Sequence, residues 1–111
     1  MKTFAQTLDL RDDPKTIAIY EEYHRAVWPE VKEALRAIGI SGMEIYRAGN
    51  RLFMTFEAPD DFDPARDFQS YAEVPRAREW DELMRGFQQP IPGAPKGAWW
   101  TPMEKVFDLN W

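Results

Sequence analysis

Met43-Glu44-Ile45-Tyr46-Arg47-Ala48-Gly49-Asn50-Arg51-Leu52-Phe53-Met54-Thr55-Phe56-Glu57 is the stretch on which the fold turns. Two runs rich in aromatic and branched side chains, Met43–Ala48 and Arg51–Glu57, flank the dipeptide Gly49-Asn50. Glycine and asparagine reach the positive φ that a two-residue turn needs, so the spacing predicts a β-hairpin. Working back toward the N-terminus, the pattern from Pro14 to about Ile38 is helical. Asp12-Asp13-Pro14 supplies a capping carboxylate followed by a proline in the first turn. Pro29 cannot donate a backbone hydrogen bond and crowds the turn before it. Two helical pieces are therefore expected, about 14–27 and 29–38, with Pro29 opening the second and Gly39 closing it as a left-handed cap. Ahead of these, Thr3 to Leu10 alternates. Phe4, Gln6, Leu8 and Leu10 fall on one face and Thr3, Ala5, Thr7 and Asp9 on the other, as in a strand.

Toward the C-terminus, Ala58 to Pro64 is a polar loop with three aspartates and two prolines. Pro64 to Phe87 reads as helix, broken near Val74-Pro75. Gln89 to Gly97 holds three prolines and two glycines and is expected to be a loop. Trp99 to Leu109 supplies a last strand, strongest over Met103–Leu109. The order is β-α-β-β-α-β, which predicts an α+β fold, a ferredoxin-like sandwich over an antiparallel sheet, built as one domain spanning 1–111. Two helices would cover one face of the sheet. The other face needs a cover, and a second copy of the chain is the natural one.

Composition narrows the chemistry. The chain has 111 residues, 44% of them hydrophobic, with no cysteine and a net charge of −5. The absence of cysteine excludes disulfides and thiol catalysis and fits a reducing compartment. The basic residues are scattered, whereas binding to phosphate backbones needs concentrated positive charge, so nucleic acid is not an expected partner. No stretch approaches the roughly 20 apolar residues that span a bilayer. The start, Met1-Lys2-Thr3-Phe4-Ala5-Gln6, lacks the apolar run of a signal peptide, and the chain reads as cytoplasmic with no membrane partner. Asp60, Asp61 and Asp63 resemble half of a calcium loop, but the glycine and closing glutamate are missing. There is no glycine-rich phosphate loop and no serine in a nucleophile elbow. No metal and no cofactor are expected.

His24, the single histidine, lies in Tyr20-Glu21-Glu22-Tyr23-His24-Arg25-Ala26-Val27-Trp28-Pro29-Glu30. An imidazole exchanges protons near neutrality. Tyr20 stands four residues earlier and Trp28 four later, so the first two share a helix face, and Trp28 extends it unless Pro29 distorts the helix. A phenol and an imidazole can handle hydroxyl protons, and an indole can stack on the C–H face of a sugar ring. The competing reading is two core aromatics beside a hydrogen-bonded histidine. Trp80 and Trp99-Trp100 add aromatic surface, either as pocket walls or as ordinary core.

The run Tyr20-x3-His24-x3-Trp28-Pro29-Glu30 resembles the signature of the L-rhamnose mutarotase family. The resemblance extends over nearly the whole chain, through Glu44-Ile45-Tyr46, Leu52-Phe53-Met54, Trp80-x3-Met84 and the closing Glu104-Lys105-Val106-Phe107. It implies a dimeric α+β barrel of ferredoxin-like subunits that interconverts the α and β anomers of a deoxy sugar. It assigns the proton donor to His24, a substrate-contacting tyrosine to Tyr20 and a substrate-contacting tryptophan to Trp80. The chain departs from the pattern at two places. Asp81 stands where a second tryptophan follows the first, and Met43 stands where a further substrate-contacting tyrosine falls. The later segment, Phe87-Gln88-Gln89-Pro90 through Trp100-x2-Met103-Glu104-Lys105, resembles the L-fucose mutarotase branch. The expected activity is therefore anomer exchange of a 6-deoxy-hexose, L-fucose ahead of L-rhamnose. His24 would act as acid toward the ring oxygen, Tyr20 would orient a hydroxyl or relay a proton, Trp80 and Trp100 would stack on the sugar, and Asp81 would accept its hydroxyls. Two other classes remain open from the residues: a non-catalytic sugar-binding dimeric module, and a small dimeric-barrel monooxygenase whose histidine ligates iron or steers oxygen.

Overall fold

Strand β1 (Lys2–Leu10) runs through the sheet interior, antiparallel to β3 (Arg51–Ala58) over eight residue pairs from Lys2↔Ala58 to Asp9↔Arg51. The computed structural model describes residues 1–111. β2 (Gly42–Ala48) pairs with the outer side of β3 through the expected hairpin, and Gly49 takes φ +60° at its tip. The other side of β1 carries two stubs, β4 (Gln88–Gln89) and β5 (Thr101–Pro102). The sheet order is β2-β3-β1-β4, with β5 also on β1. This is the expected ferredoxin-like α+β arrangement.

Four helices follow from four prolines. α1 (Pro14–Arg25), α2 (Pro29–Ala37), α3 (Pro64–Ala72) and α4 (Pro75–Arg85) each begin on one. The proline ring fixes a helical φ at the first position and drives the residue before it out of the helical region. Asp13, Trp28, Asp63 and Val74 are accordingly all extended, with ψ between 108° and 134°. Asp13 and Asp63 also cap their helices by accepting from Thr16 N and Ala65 N. α1 stops at Arg25, two residues short of the expected end, and Trp28 precedes α2 rather than extending α1. Gly39 closes α2 with φ +101°, and a Cβ there would meet Pro59 Cδ at 3.0 Å, so both conformation and space call for glycine.

β3 alternates strictly: Leu52, Met54, Phe56 and Ala58 are buried under the helices, while Arg51, Phe53 and Glu57 face the open side. The helix-covered side holds two apolar clusters. One joins Leu10, Tyr20, Val31, Leu52, Tyr71, Trp80 and Met84, and the other joins Ile40, Met54, Phe56, Ala58 and Phe62.

The last expected strand is corrected. Trp99–Leu109 does not form one strand, and Met103–Leu109 forms none. The fourth sheet position is instead filled by β4 opposite Asp9 and Leu10 and by β5 opposite Gln6 and Thr7, while 90–100 loops out between them. After Met103 N donates to Ala5 O at 2.8 Å, the chain leaves the sheet. Val106, Phe107 and Leu109 are 85%, 70% and 84% exposed. Alternation makes a strand only where a partner edge and an apolar surface meet it, and this segment finds neither within its own chain.

Candidate active site

A cavity of about 730 Å³ opens between the helices and the sheet where the two apolar clusters meet. Tyr20, His24, Met43, Trp80, Asp81 and Trp100, all singled out by sequence, line it together. Its size falls in the range of ordinary small-molecule sites. Trp99 lines it too. Trp28 does not. It packs edge-on against Trp80 with centroids 5.1 Å apart, under the Arg76 guanidinium at 3.8 Å, and Arg76 in turn pairs with Glu30 at 3.2 Å. The Trp-Pro-Glu half of the signature is thus a clamp holding α2 on α4, not a wall of the site.

His24 and Tyr20 stand one helical turn apart on α1, their rings stacked at 4.2 Å. The His24 Nδ1 lies 2.9 Å from the Tyr20 carbonyl oxygen. A carbonyl only accepts, so Nδ1 carries the hydrogen and the neutral ring keeps its lone pair on Nε2. Trp80 meets the imidazole edge-on at 5.3 Å. Burial holds the His24 pKa below the ordinary histidine value, opposed by the bond to the Tyr20 carbonyl, which favours the charged form. The charged ring is disfavoured, and Nε2, a lone pair in the neutral ring and a donor in the charged one, is the nitrogen left for a ligand. A second, smaller cavity reaches the same two rings beside the Glu21–Arg47 ion pair.

Tyr20 is set by a chain that the sequence did not reveal. Trp99 Nε1 donates to Gln88 Oε1 at 2.8 Å, and Gln88 Nε2 donates to the Tyr20 hydroxyl at 3.3 Å. An indole N–H can only donate, which fixes the Gln88 amide with its nitrogen toward Tyr20. The Tyr20 oxygen accepts, and its own hydrogen is left for the cavity. Burial pushes the phenol up to about 12, partly offset by the Gln88 bond, so it stays protonated. Gln88 is buried and lies in the Phe87–Pro90 run that resembles the L-fucose branch. The resemblance of that run was the signal available in the sequence.

Asp81, on α4, lines the same cavity. The Tyr71 hydroxyl, from α3, donates to Asp81 Oδ1 at 3.1 Å. Burial raises the Asp81 carboxyl above the usual carboxylate range, and the Tyr71 bond and Arg85 act the other way. Burial, then the charge and hydrogen bond of Asp81, raise the Tyr71 phenol in turn. Tyr71 had no sequence signal, since its role depends on a helix ten residues later. Met43 and Ile45 project from β2 into the cavity, and Lys32, Arg36 and Arg85 line it as well.

No helix is long and apolar enough to cross a membrane. Residues 3–109 match the L-rhamnose mutarotase family. A UPF0734 protein of Dictyostelium discoideum is 53% identical, the match covering 99% of this chain and 91% of that one. The L-fucose mutarotase of Xanthomonas campestris pv. campestris is 40% identical over 99% of this chain and 90% of its own. The crystal structure of an L-rhamnose mutarotase from Formosa agariphila superposes with a TM-score of 0.70 at 25% identity, covering 98% and 99% of the two chains. With matching fold, matching signature and near-complete coverage, the chain belongs to the L-rhamnose mutarotase family.

Proposed function

We propose that this chain is an aldose mutarotase that interconverts the α and β anomers of a 6-deoxy-hexose, with L-fucose preferred over L-rhamnose. One observation carries the reading: an imidazole, tethered through Nδ1 and uncommitted at Nε2, faces an aromatic-walled cavity beside a phenol whose hydrogen is uncommitted. Mutarotation needs one proton delivered to the ring oxygen and one removed from the anomeric hydroxyl. The aldehyde then turns and the ring closes on its other face. A positioned acid–base group contributes about 10²–10⁴-fold to such a step. His24 is the catalytic group at the ring oxygen, and Tyr20 donates a hydrogen bond that orients a sugar hydroxyl. Trp80 and Trp100 stack on the ring, Met43 forms the apolar wall from β2, and Asp81 accepts from sugar hydroxyls. No cofactor enters this scheme.

The preference for L-fucose rests on the 40% identity to the Xanthomonas enzyme against 25% to the Formosa one, and on Asp81 and Met43 lying in the cavity. We read residues 1–111 as one domain that works as a homodimer in the cytoplasm, with a monosaccharide rather than nucleic acid or membrane as its partner. Support for the dimer comes from an open sheet face bearing Tyr46 and Phe53 and from the exposed Val106, Phe107, Leu109 and Trp111. The cytoplasmic assignment rests on composition alone. Saturation-transfer NMR on the anomeric protons of L-fucose, L-rhamnose and D-ribose tests the function. Exchange should be fastest above buffer for L-fucose, and exchange at the buffer rate on all three would sink the enzyme reading.

A further inference from the structure

We propose that Asp81, held by the Tyr71 hydroxyl, is the second proton-transfer group of the reaction and works with His24 from another wall of the same cavity. The proposal rests on the mutarotase reading above and adds to it a chemical role for a residue so far given only hydrogen bonding. A hemiacetal opens fastest when one group takes the proton from the anomeric hydroxyl while another supplies the ring oxygen. A single imidazole would have to release one proton and find another between the two atoms. Tyr20 is poorly suited to the second task, since a phenol at about 12 surrenders its proton reluctantly.

Asp81 has the placement for it. It follows Trp80 on α4 and lines the cavity that His24 lines from α1. Its hydrogen-bond partner is a phenol, not a guanidinium. The phenol fixes Oδ1 while leaving Oδ2 able to take a proton, whereas a bidentate arginine would lock the group as a carboxylate. The Tyr71 ring is itself buried and packs edge-on against Phe68 at 6.3 Å, so the donor is anchored. The other charged or titratable groups on this cavity are Lys32 and Arg36 from α2, Arg85 from α4, and Tyr20 and His24 from α1. Burial shifts Asp81 upward and His24 downward, bringing the two proton affinities toward each other. A proton passed between them through the sugar then meets a smaller energy difference than it would between the two groups in water.

The step balances without any co-reactant. The Asp81 carboxylate takes the proton from O1 as the C1–O5 bond breaks and the C1=O1 double bond forms. The electron pair of the broken bond stays on O5, which receives the proton from His24 Nε2. The open aldehyde turns about C1–C2. O5 then adds to the other face of C1 and returns its proton to His24, while O1 takes back the proton held by Asp81. The working state holds one proton on the pair, and the reverse assignment, with His24 neutral and Asp81 protonated, has the same composition and the same pH dependence.

The test uses anomer exchange by saturation-transfer NMR, with fold checked by circular dichroism. Wild type must accelerate exchange of L-fucose, L-rhamnose or D-ribose, and the fastest of these is the substrate used; if it accelerates none, the mutarotase reading itself has failed and the role of Asp81 falls with it. Given an active wild type, Asp81→Asn should lower kcat about 10²-fold with little change in KM. The bell-shaped profile should have its acid limb above the ordinary carboxylate range and its basic limb below the ordinary histidine value. Tyr71→Phe removes the donor that favours the carboxylate and should move the acid limb to higher pH. An Asp81→Asn enzyme that keeps its kcat, or that changes only in KM, overturns the proposal, as does a Tyr71→Phe profile with an unmoved acid limb. If Asp81→Asn does not fold, the Tyr71→Phe profile decides alone.

Discussion

The α1 wall and the α3–α4 wall of the cavity each hold one buried titratable group, but by different means. His24 is tethered to the backbone of its own helix one turn back, while Asp81 is tethered by a side chain from a neighbouring helix. Burial acts on both and moves them in opposite directions, because it disfavours a charged imidazole and a charged carboxylate alike. A group held by its own helix leaves a mark in sequence spacing. A group held across helices leaves none, and only the packed structure brings its parts together.

One residue joins the two walls. Trp80 is buried, touches the rings of His24, Tyr23 and Trp28, and precedes Asp81 on α4. Trp80→Ala should cost about 3–5 kcal/mol of stability, read by urea unfolding, and abolish activity with it. A loss under 1 kcal/mol would mean the walls are braced elsewhere.

Stability against pH separates the walls next. In the unfolded chain His24 takes a proton as pH falls past its ordinary value near 6.5, while in the folded protein it resists, so stability drops as pH falls below that value. Asp81 does the reverse. Its folded carboxyl holds a proton above the ordinary carboxylate value near 3.8, so its contribution is lost as pH rises through that window. Thermal midpoints of His24→Gln should fall less than wild type between pH 6.5 and 5, and Asp81→Asn should be more stable than wild type at pH 7. Asp81→Asn would thus gain stability and lose turnover.

Tyr20→Phe is a finer probe of the α1 wall alone. It leaves the Gln88 amide without its acceptor, which should cost about 1 kcal/mol by urea unfolding and slow exchange several-fold without moving either limb of the pH profile. Phe107→Asp, in the exposed tail outside both walls, should change the stability of the subunit by no more than about 0.5 kcal/mol while releasing monomers in light scattering. An unchanged dimer would remove the tail from the interface.

Much of this was legible from residues alone. Four prolines opened four helices where expected, and Gly49 and Gly39 turned the chain where expected, because these residues act through local sterics. The six residues singled out in the sequence line one cavity. Three things escaped. Met103–Leu109 alternates as well as β1 does, yet forms no strand, since pairing is not a local property. Trp28 looked like a third ring on the His24 face, but Pro29 turned it into the clamp with Arg76. Gln88 and Tyr71 orient Tyr20 and Asp81 across 68 and 10 residues, and no periodicity reports a bond of that kind.

The most direct measurement is L-fucose anomer exchange in His24→Ala, followed by saturation-transfer NMR beside wild type at equal concentration. The expected variant is a folded dimer that exchanges anomers at least about 10²-fold more slowly than wild type, near the rate of buffer. A His24→Ala protein that keeps wild-type exchange would contradict the catalytic role of His24.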